Sequence, residues 1–447
     1  MTVGELPFDL PTFRSLGDVQ STVFISDDEW RFTQTSRYLP FYFDWVATNF
    51  PPRVDDYLRH RVTSVIPSSY AANTTVFHKT TDDKSFDALM VGAAHPERVS
   101  IARALLASGI RLNVFGPGWS RYSDLKHIWG GVLSTTEMVD TISAARVVVN
   151  SGYTLNGVPQ IKGRLFETAA CGSFQLTGDI PRLSEYYKIG KELDVFHDSQ
   201  DLIQKLRYYI DHDSEREIIA RAGYERTKRD HSWNHRLEEI HSATSIAPSG
   251  PPILPATRGL IFSRIGSDLE GVYLPVGTQI IEWDGSDIRP IIEQVISKHP
   301  GLFVGFSEPL MTYDRDYLKL LSYGLANSRE HGVVANLAPF DVTDKQGRVF
   351  ACAQIATLAN HSPEQTPLSS YFVLGSSILA AATGAALSSD RLQFEIMPTI
   401  IENGPTESIN LGTGLFSVPG SGAWSISNVF RSSISGSWDV RTRPYAR

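Results

Sequence analysis

Between residues 86 and 243 short apolar runs alternate with longer helical stretches, and this alternation restricts the fold more than any other feature of the sequence. Residues 88–92, 111–115, 146–150 and 174–177 read as strands, each bounded by turn-forming or polar residues. Residues 96–108 read as a helix that Gly109 ends, and 163–171 as a second that Gly172 ends. Residues 202–210 and 214–228 read as charged helices. Strands that alternate with helices imply a parallel sheet covered on both faces, so the fold class is α/β.

The flanking regions differ. Residues 1–85 hold three short apolar runs, 21–26, 41–47 and 62–67, and the first ends in Asp27-Asp28-Glu29-Trp30. Residues 246–257 contain Pro248, Pro251, Pro252 and Pro255 and read as a linker, because proline blocks helix and sheet ladders. Residues 258–447 hold β-like runs at 271–273, 302–306 and 333–337, one amphipathic helix at 316–329, and a Gly/Ser-rich tail at 412–438.

Composition removes several function classes. Net charge is −8 over 447 residues and no basic stripe is present, which argues against nucleic-acid binding. Cys171 and Cys352 stand far apart, outside any CxxC pattern, which speaks against a disulfide framework or zinc site and for a reducing cytoplasm. The first residues lack a basic segment followed by an apolar one, so no signal peptide is expected. The longest apolar runs, such as 377–387, are too short to span a bilayer. A soluble protein is expected.

The stretch from Gln160 to Gly172 carries the chemistry. A loop delivers Lys162 and Arg164, a helix begins, and Glu167 follows a turn later. A helix N-terminus presents N–H groups and partial positive charge to a phosphate. Arginine grips two oxygens at once, and a carboxylate accepts hydrogen bonds from a ribose diol. The pattern suits a nucleoside diphosphate. A surface helix with solvated charges has the same composition, and on charge pattern alone the two readings stand level.

Several separated motifs resemble the CgeB-like glycosyltransferases: Asp27-Asp28-Glu29-Trp30-Arg31-Phe32, Gly116-Pro117-Gly118-Trp119, the run from Gln160 to Gly172, Leu176-Thr177, Gly190-Lys191-Glu192-Leu193, residues 219–226, and His231-Ser232-Trp233 with Arg236. Their order and spacing match over about residues 21–241. The resemblance implies a GT-B fold of two Rossmann-like domains, with a nucleotide sugar held mainly by residues 86–245. It assigns Glu167 to the donor ribose and Lys162 and Arg164 to the diphosphate. Gln160 belongs to the same loop, and Gly172 would permit close approach of helix to ligand. Arg98 would be a second phosphate contact, or else a solvated helix charge. Gly116 and Trp119 would shape the base or sugar pocket, or else form a tight turn with a core tryptophan. Asp27 or Asp28 would act on the acceptor hydroxyl, or else serve as helix-start residues. His231 is expected to be structural. The wider retaining GT-B class pairs two glutamates eight residues apart around this loop, and here Pro159 holds the partner position. That departure leaves the stereochemical outcome open.

Residues 1–85 are short for a complete Rossmann-like domain and read as an abbreviated acceptor side. Part of 258–447 resembles the inverting GT-A glycosyltransferases, with a strand, a helix and a second strand in order. Ser307-Glu308-Pro309 replaces the Asp-x-Asp pair that holds Mg²⁺ or Mn²⁺ against a diphosphate. The expected module is a degenerate GT-A-like domain or a β-rich accessory domain, suited to glycan binding, to homo-oligomer formation or to completing the short N-terminal segment. The function expected is metal-independent transfer of a sugar from a nucleotide sugar to a glycan, glycoprotein or small acceptor. The alternatives are a non-catalytic glycan-binding scaffold and a sugar-nucleotide epimerase.

Overall fold

A computed structural model describes residues 19–32, 36–154, 157–248, 250, 258–307, 312–313, 315–326, 333–336, 340–343, 349–355, 371–382, 384, 386–389, 392, 397, 407–409, 416–419 and 438–441. The chain forms two compact units. One comprises residues 1–47, 52–65 and 248–447, the other residues 48–51 and 66–247. The sequence-based division, with 1–85 as one acceptor-side segment and 258–447 as another domain, therefore differs from the contacts. Most of the N-terminal segment shares a unit with the C-terminal one.

The N-terminal elements are β1 (Thr22–Ile25), α1 (Asp28–Arg31), a 3-10 turn Ser36–Phe41, β2 (Trp45–Thr48), α2 (Val54–Arg59) and β3 (Val65–Pro67). The three strands form a small sheet in the order β1-β2-β3. The apolar run at 41–47 is thus only partly a strand. Its aromatic residues Phe41, Tyr42 and Phe43 are buried without pairing in a sheet.

The second unit carries β4 (Phe86–Val91), α3 (Pro96–Ala107), β5 (Leu112–Phe115), α4 (Thr135–Ser143), β6 (Ala145–Asn150), α5 (Gly163–Ala170), β7 (Phe174–Gly178), β8 (Asp194–Phe196), α6 (Ser199–Asp211), α7 (Asp213–Asp230) and α8 (Trp233–Ala243). All five strands run parallel in the order β5-β4-β6-β7-β8. Alternate residues of β4 serve opposite faces, as a pleated strand requires. Ala88 and Met90 join one core with α3 and α6, while Leu89 and Val91 join the other with α4 and α5. This is the Rossmann-like domain expected. Sequence reading missed α4 and β8. Ser134 and Glu137 form a capping box that starts α4. Residues before β4 belong to this unit too: Ala72 pairs with Ser232 at the start of α8.

In the C-terminal segment β9 (Gly259–Arg264), β10 (Thr278–Trp283), α9 (Arg289–Ile296), β11 (Phe303–Ser307), β12 (Thr312–Tyr313), α10 (Tyr317–Ala326), β13 (Val333–Asn336), β14 (Phe340–Thr343), β15 (Val349–Ile355), β16 (Tyr371–Leu374), α11 (Gly375–Ala382), β17 (Glu407–Ile409), β18 (Phe416–Pro419) and β19 (Trp438–Arg441) build two sheets. A six-stranded mixed sheet runs β10-β9-β11-β16-β13-β17, and a five-stranded one β12-β18-β14-β15-β19. The β-like run at 271–273 is not a strand, and β9 and β10 were not foreseen. The strand β16 ends at Leu374, where α11 begins. Glu308 and Pro309 of the metal-motif position lie outside the described residues.

Val23, Ile25, Phe32, Tyr38 and Phe41 share one hydrophobic core with Leu260, Phe262, Phe306, Leu321 and Tyr323. Residues far apart in sequence thus bury their apolar area together.

Candidate functional site

The five-stranded sheet reverses its winding at β4, with β5 on one side and β6 on the other. At such a reversal the loops leaving the two strands part, and the crevice outside their carboxyl ends is where open parallel sheets bind ligands. The loop after β4 begins at Gly92, that after β5 at Gly116, and that after β6 at Ser151.

Glycines let these loops approach closely. Gly116 has φ of 128°, and a Cβ there would stand 2.4 Å from the Gly92 carbonyl oxygen. Gly92 has φ of 150°, and a Cβ there would stand 2.5 Å from Nη1 of Arg98. Arg98 therefore folds back over the end of β4 and donates to the Ala93 carbonyl at 2.9 Å. It is not a fully solvated helix charge. Burial holds its pKa below the ordinary value, the nearby Arg164 pushes in the same direction, and Glu97 opposes both.

Arg164 is the second residue of α5 and pairs with Glu167 at 2.9 Å. Burial raises the Glu167 pKa, and Arg164 partly offsets that rise. Lys162 precedes α5, caps it with no side-chain bond, and donates to the Tyr153 carbonyl. Arg98 and Lys162 both reinforce the downward shift that burial gives His95. Cations from two segments, Arg98 after β4 and Lys162 with Arg164 at the start of α5, thus converge at the winding reversal. Like charges crowded in a partly desolvated place repel, so the arrangement is suited to an anion with several charged oxygens. Gln160 is buried, and its N–H donates to the Gly152 carbonyl at 2.9 Å, which fixes the loop carrying Lys162.

A buried amide chain sets the orientation of α5. Asn150 Nδ2 donates to Gln175 Oε1 at 2.9 Å, and Gln175 Nε2 donates to the Leu165 carbonyl at 3.0 Å. The first turn of α5 is thereby tied to β6 and β7. Sequence reading missed Asn150, Gln175, Glu97, Ser151 and Tyr70, whose ring lies 3.8 Å from where a Cβ of Gly163 would be. The available signal was the polar residue at the carboxyl end of β6.

Four predicted site residues need correction. Trp119 is fully buried and its indole N–H donates to the Gly92 carbonyl at 2.8 Å, so it braces the loop from the core and forms no pocket wall. Gly172 lies beyond the C-terminus of α5, at the opposite end from Lys162 and Arg164. Its φ of 72° ends the helix. Asp28 belongs to the other unit and is fully buried, accepting from the Tyr57 hydroxyl at 3.1 Å. Asp27, also in that unit, takes a left-handed backbone (φ 56°) before α1 and makes no side-chain cap. His231 is structural as expected: its Nε2 contacts the Tyr186 carbonyl at 2.8 Å and its ring packs on Phe166.

Among the described residues no group of three or more His, Cys, Asp or Glu is arranged to hold a metal ion, and no helix is long and apolar enough to cross a membrane.

Comparison with known proteins follows the same region. A family model described as glycosyl transferase-like matches residues 98–242, which include Arg98, Lys162, Arg164 and Glu167. The spore protein CgeB of Bacillus subtilis (strain 168) is 27% identical, over 39% of this chain and 60% of its own length. The chain thus spans less than two thirds of that curated relative. Among solved structures, a sucrose-phosphate synthase from Thermosynechococcus elongatus is similar at 13% identity and a TM-score of 0.39, covering 52% of this chain and 69% of that one. Anabaena HepE, solved in complex with UDP-glucose, is similar at 10% identity and a TM-score of 0.37, covering 46% and 65%.

Proposed function

We propose, from a central domain that is of the CgeB-like GT-B glycosyltransferase kind, that this chain binds a nucleoside-diphosphate sugar at the winding reversal and transfers its sugar to an acceptor hydroxyl. The observation that carries the reading is the convergence of Arg98, Lys162 and Arg164 on the N-terminal end of α5. Two guanidiniums and an ammonium offset the diphosphate, and the helix end adds N–H donors. As the bond to the anomeric carbon breaks, negative charge grows on the leaving phosphate, and the same cations stabilise it. Glu167 would accept from the ribose hydroxyls. With three cations in place, no divalent ion is required.

The test is titration of the full chain with nucleoside diphosphates and nucleotide sugars, with and without EDTA, followed by assay for released nucleoside diphosphate. Binding that survives EDTA, with release in the presence of acceptor, is expected. Binding that EDTA abolishes would remove this site from the centre of the chemistry. A second reading, a nucleotide-sugar-binding protein without turnover, is favoured by the burial of Asp28, which removes one proposed base. It predicts binding without release.

A further inference from the structure

Among the described residues, Glu97 is a carboxylate set beside Arg98 at the winding reversal that neither the motifs nor the family resemblance employs. It stands in the first turn of α3 and is half-buried. Its Oε2 accepts from the hydroxyl of Ser151, the first residue after β6, so the contact joins the start of α3, which follows β4, to the loop leaving β6. Ser151 is itself buried, and its Oγ lies 3.4 Å from the Tyr153 backbone N–H as acceptor. The other oxygen, Oε1, has no hydrogen-bond partner among the described residues. Charge at a helix start accounts for an acidic residue there, but not for its reach across the crevice to a buried serine.

The proposed reading of the site, on which this step rests, places the diphosphate against Arg98, Lys162 and Arg164. A carboxylate would repel that part of the ligand. What it attracts is a neutral, hydroxyl-rich part, because an ionised carboxylate accepts strong hydrogen bonds from hydroxyl groups. We propose that Glu97, held by Ser151, receives the hydroxyl groups of the donor's sugar ring and is the specificity-determining carboxylate of this site. The substrate class is a nucleoside diphosphate bearing a neutral sugar with free ring hydroxyls. A sugar lacking those hydroxyls leaves a charged acceptor unpaired and is rejected.

The experiment compares Glu97→Gln with the unaltered full chain by calorimetric titration. The probes are UDP, GDP, ADP and dTDP, and the glucose conjugate of each. Glutamine keeps the shape and a contact to Ser151 while removing the charge. The expected result is a loss of at least tenfold in affinity for the glucose conjugate that binds, with affinity for the matching diphosphate unchanged or improved, since a negative charge has left the neighbourhood of Arg98. Ser151→Ala should produce the same split more weakly. Equal affinity of both probes for the variant and the unaltered chain overturns the inference. An equal fall for both probes also overturns it, because that is the signature of a merely structural contact. If the unaltered chain binds none of the diphosphates, the underlying reading of the site fails, and that outcome is distinct from either of the others.

Discussion

Tyr323, in the C-terminal segment, stands edge-on to Phe41, in the N-terminal segment, with ring centroids 4.9 Å apart and planes at 90°. Tyr38 meets the same ring at 5.8 Å, and the Tyr323 hydroxyl lies 3.1 Å from Nδ1 of His60. Such edge-to-face contacts add to the energy of burial itself. Residues of the N-terminal and C-terminal segments thus pack in one core. Tyr323→Ala should cost about 3–5 kcal/mol, the range for truncating a large core aromatic, whereas Tyr323→Phe should cost about 1 kcal/mol for the lost hydrogen bond. Denaturant melts of both variants check this. Near-equal losses would show that the ring packing contributes little.

The two arginines at the winding reversal make a second prediction. Arg164→Ala and Arg98→Ala should each weaken nucleoside-diphosphate binding by about 1.5–3 kcal/mol, the worth of a charge-assisted hydrogen bond. Because Arg98 is packed on Gly92 and Arg164 pairs with the desolvated Glu167, both losses should also lower stability, and binding is compared with melting temperature for each. Binding that Arg164→Ala leaves unchanged would move the diphosphate elsewhere.

How much of this was legible depends on whether local pattern or long-range pairing decided the outcome. The strands β4 to β7 and helices α3 and α5 follow from apolar runs and glycine stops, so the sequence placed them within a few residues. The charges of Lys162, Arg164 and Glu167 were legible because they share one short segment. Glu97 and Ser151 were not, because 54 positions separate them and only the reversal of strand order brings them together. For Gly116 and Trp119 the sequence left a pocket and a tight turn with a core tryptophan level, and the second reading fits the structure. Their loop closes on the Gly92 carbonyl, a backbone partner that no side-chain pattern reveals. Strand β10 was missed because, at the sheet edge, it alternates little: Gln279, Ile280 and Glu282 are all exposed.

His231 predicts the response to acid. It is buried among Phe166, Tyr186 and Tyr187, and burial holds its pKa below the ordinary value, with Arg226 and Arg236 acting in the same direction and the Tyr186 carbonyl and Asp230 opposing. The unfolded chain therefore takes up this proton at a higher pH than the folded chain. Stability from the neutral imidazole is complete above the unfolded pKa, roughly 6.5, and is lost as pH falls from there through the folded value. His231→Gln retains an N–H donor for the Tyr186 carbonyl and should flatten the fall in melting temperature between about pH 7.5 and 5.5. An unchanged slope would assign acid sensitivity to other groups.

Gly163 gives a prediction in which stability and function part. It is the first residue of α5, its φ is not positive, and a Cβ would meet only ordinary contacts, Glu167 Oε1 and the Tyr70 ring at 3.8 Å. Nothing in the folded chain forbids alanine there. Alanine is the better helix former by up to about 1 kcal/mol and restricts the unfolded chain, so Gly163→Ala should leave stability unchanged or slightly raised. The added methyl nevertheless stands at the helix end where the diphosphate would approach the N–H groups. Donor affinity should fall while the melting temperature does not. Gly116→Ala is the control with the opposite basis. Its methyl would collide with the Gly92 backbone at 2.4 Å and its φ is 128°, so melting temperature and binding should fall together. If Gly163→Ala binds nucleoside diphosphate as well as the unaltered chain, the glycine is not reserved for a ligand, and the N-terminus of α5 is not where the phosphates sit.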